Sequence, residues 1–153
     1  MPAAEGSVLR LDSIDDYVAH LAPEGVIFYG LLATLIDESR EIKSDEPSFV
    51  ISTAIRVQED RADFRCEIEL DLDYAKISVD AAATFKADAP TVEFANREGL
   101  IDFADNVAMM VLFPYLRQAV SDLGSRIGVE AMLPLLPRGA ISFRPDVEAS
   151  KAE

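Results

Sequence analysis

Few residues of this chain have the type for covalent or metal chemistry. His20 is the only histidine and Cys66 the only cysteine among 153 residues. A zinc site of soft ligands or a Cys–His dyad would need both together, and their contexts place them on different elements. Cys66 sits in an alternating apolar pattern, where a thiol behaves as a small hydrophobe, and a lone cysteine closes no intrachain disulfide. Glu67 and Glu69 project from one strand face and would suit acid–base work if a cleft raised one pKa. On an open sheet the same spacing makes a solvated face or a docking patch for a basic partner. Asp71, Asp73 and Asp80 have the look of a calcium loop only superficially: the central glycine is missing, Ala75 stands at an expected ligand position, and the run lies on strand alternation. The sequence has no phosphate-cradling glycine loop. The expectation is a protein without catalysis, metal or cofactor.

The elements that must position these side chains follow from periodicity. Ser13 caps a short helix over 13–22, with Asp15 and Asp16 in its first turn and Pro23 and Gly25 ending it. Residues 26–36 read as a strand apolar on both faces, with Gly30 marking a bulge or bend. A polar break follows over 37–47, then a second strand from Ser48 with Phe49, Ile51, Thr53, Ile55 and Val57 on one face. From 63 to 74 the alternation is unbroken, Phe64, Cys66, Ile68, Leu70, Leu72 and Tyr74 opposing Asp63, Arg65, Glu67, Glu69, Asp71 and Asp73, so one face meets a core and the other water. The phase flips near Ala75, marking a turn or bulge before a strand over 76–86.

After Pro90 the period becomes helical through Leu100, Ile101, Phe103, Ala104 and Val107 and on to Ile127, with a disturbance expected at Pro114 and an end at Gly124 and Gly128. Residues 132–143 form an apolar, proline-broken loop, and 144–153 a loose tail. Strands followed by helices indicate an α+β fold of one domain over 1–153: a four-stranded antiparallel sheet with helices packed on one face.

Composition narrows the function classes. Asp and Glu number 28 against 14 Lys and Arg, a formal net charge of −14, which argues against nucleic acid and anionic membranes as partners. Acidity favours solubility and attraction to a basic partner. The first residues lack the basic start and apolar core of a signal peptide, and no apolar run approaches the roughly 18 residues of a membrane span. The expected location is the cytoplasm.

The stretch 107–117 carries ten uncharged residues and then Arg117. Within it Leu112-Phe113-Pro114-Tyr115-Leu116-Arg117, followed by Val120-Ser121-Asp122-Leu123, Ser125-Arg126 and an apolar, proline-containing stretch from Leu133 to Pro137, resembles the SecB family of export chaperones, including its SecB-like branch linked to toxin–antitoxin systems. Element order extends the likeness over 25–143. The N-terminal helical segment and the short tail depart from the family pattern.

The resemblance implies a homotetramer, a dimer of dimers, that holds unfolded polypeptides without nucleotide or catalysis and delivers them to the SecA motor, or protects an antitoxin. It implies that Phe113, Pro114, Tyr115, Leu116 and Arg117 serve packing and assembly. Client grooves would be lined by Met132, Leu133, Leu135, Leu136, Ile141 and Phe143, with Phe49 and Ile51 beside them; for these, ordinary core is the competing reading. Motor docking on an acidic sheet face would fall to Asp37, Glu38, Glu67, Glu69, Asp71 and Asp73. A binding domain for an apolar small molecule is the other class left open.

Overall fold

The computed structural model describes residues 8–37, 48–131, 133 and 141–143. Alternation decides the sheet. β2 (Leu21–Leu35), β3 (Ser48–Val57), β4 (Arg61–Asp71) and β5 (Ala75–Ala87) pair antiparallel in the order β2-β5-β4-β3. Register places Phe64, Cys66, Ile68 and Leu70 of β4 beside Ala83, Ala81, Val79 and Ile77 of β5 on one face. All of these are buried, because the helices cover that face. Two elements escape a periodicity reading at three residues each: β1 (Leu9–Leu11) and β6 (Val92–Phe94) form a separate parallel pair.

α1 (Ile14–His20) begins at Ser13, whose side-chain oxygen accepts the Asp16 N–H at 3.1 Å. It stops two residues short of the expected end, since Leu21 already has extended angles and opens β2. Pro23 and Gly25 therefore lie inside a strand, flanking a register shift at Glu24. A second shift, at Tyr29, accompanies the expected bulge by Gly30. The extra residue keeps Val26 and Phe28 before it, and Leu31, Ala33 and Leu35 after it, on the same face of the sheet. β4 ends at Asp71, earlier than its alternation suggests, because Asp73 takes a left-handed φ of 68° in the turn.

The helical region is continuous from Arg97 to Arg126, as α2 (Arg97–Phe103), a π turn (Ala104–Ala108) and α3 (Met109–Arg126). The disturbance expected at Pro114 lies instead at this π turn; the helix runs through Pro114, which is exposed. Gly128, with φ 71°, follows the C-cap. By length and composition this helix also passes the test for a membrane span that the sequence reading found in no apolar run, but half of its apolar window is buried within the fold. Phe64, Phe85 and Phe103 close the core, with ring centroids 5.1 to 5.6 Å apart.

Candidate functional site

Among the described residues, a run of exposed apolar side chains follows from a strand's place in the sheet. β2 is an edge strand, yet it is apolar on both faces. Ile27, Tyr29, Leu31 and Leu32 are each 51 to 53% exposed and Phe28 40%. An exposed edge of this kind is a template for association unless something covers it. Beside it α3 contributes Tyr115, 49% exposed, and the two elements bound a groove of about 560 Å³ lined by Phe28, Leu31, Tyr115, Ala119 and Leu123, with Gln118, Asp122 and Arg126 as its polar margin.

The five residues of the packing motif divide by helical angle. Leu116 is fully buried and Phe113 half-buried, whereas Pro114 and Tyr115 face outward. Arg117 turns back, donating from Nε to the Leu133 carbonyl at 3.0 Å.

The residues expected to line client grooves scatter. Leu133, Ile141 and Phe143 are buried in the core, at 3, 7 and 6% exposure. Phe49 is exposed and Ile51 half-buried, both on the helix-facing side of β3. Met132, Leu135 and Leu136 lie outside the described residues. Phe143 meets Phe64 edge-on at 6.0 Å, and its N–H donates to Asp105 Oδ1 at 2.7 Å while Ser142 Oγ donates to Asp105 Oδ2 at 3.0 Å. Asp105 belongs to the π turn, a feature without a sequence signal.

The acidic stripe of β4 is not isolated. On the outer face of β3, β4 and β5, Asp63, Glu67, Glu69, Asp71 and Asp80 share the surface with five cations, Arg56, Arg61, Arg65, Lys76 and Lys86. Arg65 holds Asp80 through two bonds of 2.8 and 2.6 Å, and its guanidinium lies 4.3 Å from the centre of the Tyr29 ring. That bidentate contact pulls the Asp80 carboxyl below its ordinary range. Asp71 is a turn-maker, accepting the Asp73 N–H at 2.9 Å. Asp37 donates its N–H to the Tyr74 carbonyl at 3.1 Å, and Glu38 lies outside the described residues.

His20 contacts Asp88 at 3.0 Å, far along the chain from Cys66, whose thiol burial pushes up to about 12. Among the described residues, no three His, Cys, Asp or Glu side chains converge as metal ligands. The site is thus one of apolar surface and backbone-directed polar groups, suited to holding a polypeptide.

No protein-family model matches the chain. Its sequence is 28% identical over 109 residues, 69% of this chain and 72% of the relative, to the SecB-like chaperone SmegB of Mycolicibacterium smegmatis. Its fold matches that of the Mycobacterium tuberculosis Rv1957 SecB-like chaperone, solved in complex with a ChAD peptide from the Rv1956 HigA1 antitoxin, with a TM-score of 0.66 over 80% of this chain and 95% of that one, at 17% identity. The sequence relationship, the shared α+β architecture and the Leu112 to Arg117 motif agree in one likeness, that of this chain to the SecB-like chaperones.

Proposed function

We propose that the protein is an ATP-independent holdase chaperone, without catalytic activity or cofactor, that acts in the cytoplasm on unfolded polypeptide clients. The observation that carries this is the run of exposed apolar residues on β2, of which Phe28 and Leu31 face the groove under Tyr115 while Ile27, Tyr29 and Leu32 lie outside it. Burying such surface is worth roughly 25 cal/mol per Å², which is a driving force for holding extended apolar segments and for assembly of copies. A formal net charge of −14 keeps the particle soluble while that surface is open.

Assembly as a homotetramer, a dimer of dimers, belongs to this proposal. β2 and α3 offer its interface, and the apolar surface that assembly leaves open, with Phe49, Ile51 and the apolar segment after Gly128, is its client side. For destination, the SecA motor and an antitoxin are the two options. Docking a basic motor segment needs a surplus of acid, and on β3, β4 and β5 the outer face sets five cations against five carboxylates. That balance favours an antitoxin, the kind of partner whose peptide the Rv1957 complex contains.

The test is suppression of light scattering by an aggregating model protein at near-stoichiometric chaperone, without nucleotide. Suppression is expected; none at any ratio overturns the reading.

A further inference from the structure

We propose that the slot holding Ile141, Ser142 and Phe143 is a polypeptide-binding site that the chain fills with its own segment, and that Asp105 is the residue that reads the bound backbone. This deepens the holdase reading and rests on it.

Among the described residues, hydrogen bonds from Asp105 and Thr53 hold the segment. Asp105 Oδ1 accepts the Phe143 N–H at 2.7 Å, Asp105 Oδ2 accepts the Ser142 hydroxyl at 3.0 Å, and the Thr53 hydroxyl of β3 donates to the Ser142 carbonyl at 3.1 Å. Two of these engage backbone atoms that any residue carries, so they impose no demand on sequence. The demand comes from the flanks. Phe143 enters between helix and sheet against Phe64, edge-on at 6.0 Å, and Ile141 is buried beside it, while Ser142 between them is exposed. The slot therefore selects an aliphatic residue, any residue, then an aromatic one. An unfolded chain offers that pattern often, and a folded one hides it.

The receptor side is built for this contact. A π turn inserts one residue into the helix, a device that re-aims side chains and clusters at functional positions, and here it carries Asp105. Asp105 is half-buried and Ser142 exposed, so the polar half of the latch sits at the solvent margin, where a competitor can replace it bond for bond. Because the resident segment is tethered, its effective concentration is on the order of millimolar. Only segments that also gain contacts elsewhere, as extended clients do, displace it.

The experiment uses the full chain and a fluorescent peptide with the sequence of residues 139–145, followed by anisotropy. The wild type is expected to bind weakly, since its slot is filled. Phe143→Ala empties the aromatic pocket and is expected to tighten peptide binding by about tenfold or more, because competition by the resident segment falls. Adding Asp105→Ala is expected to abolish that gain. Ser142→Ala, on an exposed side chain, moves binding the same way by a smaller factor and decides the matter if Phe143→Ala does not fold. Unchanged or weaker binding in the folded single variants, or a gain that survives Asp105→Ala, overturns the proposal. Aggregation suppression by the wild type, measured alongside, separates the two claims. Suppression without a peptide gain keeps the holdase and removes the slot, and failure to suppress removes the holdase while the peptide result still decides the slot.

Discussion

Phe28 of β2 and Tyr115 of α3 meet edge to face, their ring centroids 6.5 Å apart and their planes at 61°. Both rings stay 40 to 49% exposed, so each has a second surface still open. Aromatic pairs in this geometry add about 0.5–1.5 kcal/mol beyond area burial, and an open pair at an edge strand is a nucleus for association.

Charge at that pair should break the assembly. Phe28→Glu and Tyr115→Glu are expected to lower the mass seen by light scattering below that of a tetramer, with circular dichroism unchanged because both residues are outside the core. A full-mass particle from the folded double variant would show that β2 and α3 are not the interface.

The Arg65–Asp80 pair should be a pH-dependent stabiliser of modest size. Arg65 is 49% exposed while the Asp80 side chain is 14% exposed, so Arg65→Met is expected to lower stability at neutral pH by a small but measurable amount, as screened pairs do. Asp80's folded pKa is lowered, chiefly by its hydrogen bonds from Arg65. The contribution is therefore present above the unfolded value of about 4 and disappears as pH falls through the lower folded value. Urea unfolding at pH 7 and again near pH 2 should show the gap between wild type and variant closing in acid.

Cys66 should be silent in the native protein. Burial raises its thiol to about 12, with the charges of Asp80 and Glu67 adding to the shift, and reactivity needs the thiolate. A thiol reagent at pH 8 is expected to label it only as fast as the chain opens. The raised folded pKa also means stability is intact below the unfolded thiol value of about 8.5 and is drawn down as pH rises from there towards 12. Prompt stoichiometric labelling of folded protein would contradict the burial.

Gly124→Ala should destabilise, although helix propensity alone favours alanine by about 1 kcal/mol. A Cβ there would lie 2.7 Å from the Val129 carbonyl oxygen and 3.0 Å from the Ala131 Cβ. The backbone after the helix must shift, and a net loss of about 1–3 kcal/mol is expected, read as a lower midpoint in urea. A stabilised variant would mean that residues 129–131 pack less closely on α3.

Much of the fold was legible one residue at a time. Alternation over β4 told which of its side chains face the core, and Ser13 marked the start of α1, because a strand's two faces and a helix cap are local properties of the chain. The sequence placed a bulge near Gly30 for the same reason. It misplaced the helical irregularity at Pro114, since proline is a strong local signal and a π turn has none.

What the sequence by itself determined is the order of the four sheet strands and the helices, the apolar faces of β3 and β4, and the Leu112 to Arg117 motif that carries the family resemblance. Only the tertiary structure decided which apolar segments stay open. Leu133, Ile141 and Phe143, expected along a groove, are buried, while the strand from Leu21 to Leu35 lies at the edge with Ile27, Phe28, Tyr29, Leu31 and Leu32 exposed. The physical reason is that hydrophobicity is a property of a residue, whereas exposure depends on what else packs there. Strand order and the return of residues 141–143 beside Asp105 and Thr53 bring together positions 38 and 89 residues apart in the chain, beyond the reach of any local pattern.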